Sequence, residues 1–159
     1  GAKDPNPFLS EKLSHIIGVD TSSKHAKDVI LYGFGRIGRL AARELIKQAG
    51  KGQQLRLKAI VVRGLTDAQI VKRADLLRTD SVHGAFKGVV DIDLASQSMI
   101  VNGQRIKFID GGNPEDIDYT QYGINDALLI DNTGAFTTKE KLSRHLKAKG
   151  VSKVLLTAP

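Results

Sequence analysis

The stretch VILYGFGRIGRLAAREL, residues 29–45, sets four aliphatic or aromatic residues ahead of Gly33-Phe34-Gly35-Arg36-Ile37-Gly38. Behind the glycines, Ile37, Leu40, Ala41 and Leu45 recur at the spacing of one helical face. The pattern is a short buried strand, a tight turn and a helix. In such a unit the three glycines do different things. The first makes the turn, the second lets the backbone approach a pyrophosphate, and the third lets helix and strand pack closely. Backbone N–H groups and the helix dipole then stabilise the anion. GxGxxG alone is also compatible with a structural turn that binds nothing. The surrounding strand, helix and following strand, LRLKAIVV at residues 55–62, favour a dinucleotide.

Outward from this unit the elements keep alternating. TDAQIVKRADLLR carries Ile70, Val71, Ala74 and Leu77 at helix spacing, with Thr66 or Asp67 suited to cap it. The middle of the chain turns to period two: GVVDIDL and SMIVNGQRIKFID read as strands, the latter two arms meeting at Asn102-Gly103, a hairpin signal. DALLIDNTG is a further buried strand. Thr137 and Glu140 form a capping-box pattern ahead of KLSRHLKAKG, a helix ended by Gly150, and SKVLLTAP is the last strand. This order predicts an α/β fold of Rossmann type: a mostly parallel sheet, helices on both faces, and an inserted antiparallel hairpin. Residues 28–159 form that domain. Residues 1–27 read as an N-terminal arm with a short helix, FLSEKLSHII, and a linker behind it.

With 159 residues the chain suits one domain with a core. Hydrophobic residues make up 41% and charged residues 26%, an ordinary soluble composition, and no apolar run approaches the ~20 residues of a membrane span. There is no cysteine, which excludes disulfides, thiolate metal sites and a cysteine nucleophile within these residues, and fits a reducing, cytoplasmic setting. No metal site is expected. The net charge of +7 invites a polyanion partner, but aromatics are only 5% and are not interleaved for base stacking. Phosphate-bearing small ligands suit this charge better than nucleic acid.

The end of the second strand should supply an acid for the adenosine ribose. Instead it reads Val61-Val62-Arg63-Gly64, and Asp67 sits in the opening of the next helix. Two readings of Arg63 stand side by side. Loss of a carboxylate and gain of a guanidinium suit a 2′-phosphate, hence NADP beside NAD; or Arg63 is a solvated side chain and Gly64 a turn.

Taken together, residues 29–159 resemble the N-terminal part of the glyceraldehyde-3-phosphate dehydrogenase family. GFGRIGRLAAREL is similar to its cofactor loop, LLRTDSVHGAFKGVVDID to its Asp-Ser-Val-His-Gly segment, and IVNGQRIKF and NTGAFTTKEKLSRHLKAKGVSKVLLTAP follow in family order. The resemblance implies NAD or NADP as cofactor, a phosphorylated aldehyde and inorganic phosphate as reactants, and a homotetramer. It implies that a cysteine attacks the aldehyde, a hydride passes to the nicotinamide, and phosphate cleaves the thioester. The family's Ser-x-Thr-Asn-Cys segment lies beyond Thr157-Ala158-Pro159, so the chain reads as a fragment, inactive alone, with no catalytic residue of its own. His83 and His145 do not match the family's catalytic histidine, and His83 reads as structural.

By position, the resemblance assigns Gly33, Phe34, Gly35, Arg36, Ile37 and Gly38 to the pyrophosphate and adenosine ribose, and Arg78 to the adenine side. Thr133, Gly134 and Phe136 fall where the family lines its cofactor, and Thr157 matches a residue near the nicotinamide ribose. Tyr32 stands in place of Asn before the first glycine, Asn132 and Thr157 in place of Ser, and Gly64 in place of the ribose-binding Asp; the last puts strict NAD use in doubt. Rival readings are an enzyme of the erythrose-4-phosphate dehydrogenase kind, and a non-catalytic module binding nucleotide or nucleic acid.

Overall fold

A computed structural model of the protein describes residues 27–49, 55–80, 84–85, 88–133 and 138–157. The arm up to residue 26, His83, Gly134, Phe136 and Thr137 lie outside the described residues. In chain order the strands are β1 (Lys27–Tyr32), β2 (Leu55–Val62), β3 (Thr79–Asp80), β4 (Gly84–Ala85), β5 (Val90–Asp93), β6 (Ser98–Val101), β7 (Gln104–Asp110), β8 (Ala127–Asp131) and β9 (Val151–Leu156). The α-helices are α1 (Arg36–Ala49), α2 (Asp67–Arg78) and α3 (Lys139–Leu142). Lys27, assigned to the arm from sequence, is the first residue of β1.

Seven strands form one sheet in the order β5-β6-β7-β2-β1-β8-β9. The pairs β7–β2, β2–β1, β1–β8 and β8–β9 are parallel, while β5–β6 and β6–β7 are antiparallel. The expected mixed sheet is therefore present. The hairpin is more than an insertion, because β7 is both its last arm and the third parallel strand. Asn102 and Gly103 have φ of 50° and 82°, the left-handed pair that a tight hairpin turn demands.

The chain's alternation sorts side chains to two faces. Val29 and Leu31 of β1, Leu128 and Ile130 of β8, and Leu57 and Ile60 of β2 meet Leu40, Ala41 and Leu45 of α1 and Ile70, Ala74 and Leu77 of α2. Ile30, Tyr32, Val61 and Leu129 point the other way, toward Tyr119, Ile124 and Ala148, with Leu142 of α3 packed on the cluster. All five residues of β8 are buried, which is why ALLID shows no alternation. Thr66, rather than Asp67, caps α2: its Oγ1 accepts the Gln69 N–H at 3.2 Å.

The helix expected over KLSRHLKAKG is not one helix. Thr138 supplies the cap, its Oγ1 accepting from Lys141 N at 3.2 Å, and α3 lasts a single turn before a 3₁₀ segment, Ser143–Lys147. The tighter winding accompanies the inward placement of His145, which is wholly buried. Gly150 does not end a helix; with φ of 103° it turns the chain into β9, where a Cβ would come within 2.8 Å of the Ile124 carbonyl oxygen. This segment is tied to a second 3₁₀ turn, Pro114–Asp116, by a two-pronged Arg144–Glu115 pair, both contacts 2.9 Å, and the hydrogen bonds from Arg144 hold the Glu115 carboxyl below its ordinary range.

Candidate functional site

The strand order reverses between β1 and β8, and an open α/β sheet offers its ligand crevice at such a point, beyond the carboxyl ends of the strands. A cavity of about 300 Å³ lies there, lined by Tyr32, Gly33, Val61, Val62, Arg63, Gly111 and Thr133. These residues end or follow β1, β2, β7 and β8.

The three glycines of the opening motif differ physically. Gly33 has φ of 100°, its N–H donates to the Val61 carbonyl at 2.9 Å, and a Cβ on it would sit 2.8 Å from Thr133 Cγ2. Gly38 is packed under the turn: a Cβ there would lie 2.5 Å from the Gly33 carbonyl oxygen. A Cβ on Gly35 would meet nothing within 4 Å, so open space remains over that peptide where an approaching group can come close. The first turn of α1 has no acidic residue to oppose an anion at its N-terminus. The loop therefore has the turn, the close helix contact and the open approach that a pyrophosphate needs.

Thr133 is held by a buried network. Asp131, fully buried at the end of β8, accepts the Thr133 N–H at 2.8 Å and the Thr133 hydroxyl at 2.7 Å, both on Oδ1. Its Oδ2 lies 2.9 Å from Nε2 of His145, also fully buried. Acting as acceptor on both oxygens, the carboxylate requires the proton on Nε2. The Tyr32 ring meets the His145 ring edge-on at 4.6 Å, and its hydroxyl donates to the Gly112 carbonyl at 3.2 Å. Burial raises the Tyr32 pKa, with nearby Arg63 opposing. Tyr32 is thus a rigid floor of the crevice bridging β1 to the chain after β7.

Asn132 and Thr157 form a second link. The Asn132 amide nitrogen lies 3.3 Å from the Gly33 carbonyl oxygen, while its Oδ1 is 2.8 Å from the Thr157 hydroxyl. Thr157 is 3% exposed, so it braces the glycine turn from below.

The other sequence candidates separate. Arg63 is exposed and lines the crevice; Gly64 follows with φ of 65°. Arg36 and Gly35 are exposed at the start of α1. Phe34 is 3% exposed and packs edge-on against Phe108 at 6.3 Å, so only its backbone faces the loop, and Ile37 packs against the same core. Arg78 is not brought to the cavity lining; it closes α2, donating to Asp75 Oδ1 at 2.7 Å and to the Val90 carbonyl at 2.5 Å.

Sequence reasoning missed Asp131 and His145, Gly111, and Asp110, whose Oδ1 accepts the Gly64 N–H at 3.1 Å. An acid closing an otherwise apolar strand, as in ALLID, is the one signal that pointed to Asp131.

Comparison with known proteins agrees with this architecture. Residues 27–139 match the family described as glyceraldehyde 3-phosphate dehydrogenase, NAD binding domain. A glyceraldehyde-3-phosphate dehydrogenase-like protein of Pseudomonas aeruginosa is 50% identical over 96% of this chain and 33% of its own length. Glyceraldehyde-3-phosphate dehydrogenases of Lactococcus lactis and Clostridium pasteurianum are 39% and 36% identical over 80% and 82% of the chain. The Pseudomonas match, over 153 residues, takes in most of the first 26. The chain spans about a third of the length of the curated relatives it matches. With a parallel sheet reversing beside a three-glycine turn, and a family match over most of its residues, the chain belongs to the glyceraldehyde 3-phosphate dehydrogenase family, to whose NAD-binding domain it corresponds.

Proposed function

We propose that this chain is the cofactor-holding portion of a phosphorylating glyceraldehyde-3-phosphate dehydrogenase that takes NAD or NADP in the crevice beside Gly33. The observation that carries this reading is the open space over Gly35 between the close-packed Gly33 and Gly38. When bound, the nicotinamide supplies the hydride acceptor. The chain's own residues bind and orient: the loop from Gly33 to Gly38 faces the pyrophosphate, Thr133 is held at the crevice by Asp131, and Thr157 and Asn132 keep the Gly33 carbonyl in place. Gly134 and Phe136 are assigned to the same lining by position. These residues include no cysteine, so the thiolate comes from elsewhere in the enzyme; the phosphorylated aldehyde, the inorganic phosphate, the tetramer and the cytoplasmic setting are what membership of the family implies for the full-length protein.

Calorimetric titration of the chain with NAD and NADP tests the reading. Saturable binding of at least one, abolished by Gly35→Asp, is expected; no binding of either would overturn it. Arg63 is exposed at the crevice and supplies the charge for a 2′-phosphate. Arg63→Ala is expected to weaken NADP about tenfold and NAD by less, the scale of one near-surface charge pair. Equal losses for both cofactors would reject that role.

A further inference from the structure

We infer that Asp110 replaces, from the neighbouring strand, the ribose-binding carboxylate that is absent at Gly64, and that it selects for NAD against NADP. This rests on the crevice being the dinucleotide site proposed above. Asp110 is the last residue of β7 and pairs in register with Val62 of β2. The Gly111 N–H donates to the Val62 carbonyl at 2.8 Å, which locks the two strand ends side by side. From there the Asp110 carboxylate reaches across to the first peptide beyond Arg63, taking the Gly64 N–H on Oδ1 at 3.1 Å. A Cβ on Gly64 would meet nothing within 4 Å, so the space beside this contact is open.

The chemistry follows from the acceptor count. An ionised carboxylate accepts on both oxygens, and the Gly64 N–H occupies only part of that capacity. Asp110 is exposed, and its remaining lone pairs can accept from the vicinal hydroxyls of an adenosine ribose, the contact that an acid at the end of the second strand ordinarily makes. A phosphate on the 2′ oxygen would replace one donor by a dianion beside a fixed negative charge. Arg63, which lines the crevice together with Gly111, the residue after Asp110, works in the opposite direction. Among the described residues Arg63 forms no ion pair with Asp110, so both charges remain available to a ligand. Asp67, the acid nearest in sequence, lies in the first turn of α2, and the Gly64 N–H goes to Asp110. Cofactor choice is therefore set by two residues on different strands with opposite preferences.

The test is the ratio of dissociation constants for NADP and NAD, measured by titration calorimetry on this chain and on Asp110→Asn. Asparagine keeps an oxygen for the Gly64 N–H and removes the charge. The ratio is expected to shift about tenfold toward NADP. Asp110→Ser, which also keeps an oxygen but is shorter, should shift it the same way, and serves where the asparagine variant fails to fold. Combining Arg63→Ala with Asp110→Asn should return the ratio close to its starting value. An unchanged ratio in a variant that binds both cofactors overturns the role of Asp110 and leaves the dinucleotide site standing. Failure of the unaltered chain to bind either cofactor overturns both.

Discussion

Asp131→Ala is expected to lower folding stability by about 2–3 kcal/mol, the cost of breaking a buried hydrogen-bond network and leaving its donors unsatisfied. The carboxylate has no exposure and three hydrogen-bonded contacts: the backbone N–H and the hydroxyl of Thr133, and the imidazole of His145. Its loss leaves the His145 Nε2–H buried without an acceptor and releases the backbone that follows β8. Asp131→Asn should cost less, because its amide can donate to Nε2 when the imidazole takes its other tautomer. Urea denaturation checks both, and a double-mutant cycle with His145→Ala should show coupling above about 1 kcal/mol. A loss below about 1 kcal/mol in Asp131→Ala would mean that the pair does not hold the fold. Thr133 lines the crevice, so cofactor affinity should fall in the same variants even where the protein stays folded.

The second large effect separates two glycines that look alike in sequence. Gly38→Ala forces a methyl group to within 2.5 Å of the Gly33 carbonyl oxygen, and the obstruction is backbone, which no side-chain rotation relieves. Either α1 or the turn must shift, at about 1–3 kcal/mol by the usual cost of overpacking, and the displaced loop should bind dinucleotide at least tenfold more weakly. Gly35→Ala adds its methyl to open space, so thermal stability should change little while affinity falls. Melting curves and calorimetric titrations on the two variants distinguish them. If Gly35→Ala bound as well as the unaltered chain, the ligand would not approach that peptide.

The parts of this molecule that were legible in sequence are those fixed by local periodicity and turn chemistry. The strand, turn and helix of residues 29–45, the amphipathic α2 and the Asn102-Gly103 turn each follow from neighbours a few residues apart. The single turn of α3 was not legible. Its sequence has helical spacing, but His145 is turned inward to Asp131 at the end of β8, a partner that local periodicity does not reveal. Gly150 has a left-handed φ, as a helix-ending glycine would, yet serves a turn into β9. Asp110 was missed for the same reason as Asp131. Its partner, Gly64, is brought to it by the pairing of β2 with β7, and nothing within FID marks it as belonging to the end of β2. Arg78 shows the converse: assigned to the adenine side by resemblance, it lies at the end of α2, bonded to Asp75 and the Val90 carbonyl.

The crevice has no continuous stretch of chain to call its own. Gly33, Arg63, Gly111 and Thr133 each follow a different strand, and β1 is flanked by β2 and β8 only when segments far apart in sequence have docked. Parallel neighbours of this kind form late, because loop closure must be completed before their contacts stabilise anything. Dinucleotide capture during refolding should therefore lag the appearance of helix, and report the moment when β7 and β8 have both reached the centre of the sheet. A ligand that binds only that final arrangement draws the folding equilibrium toward it.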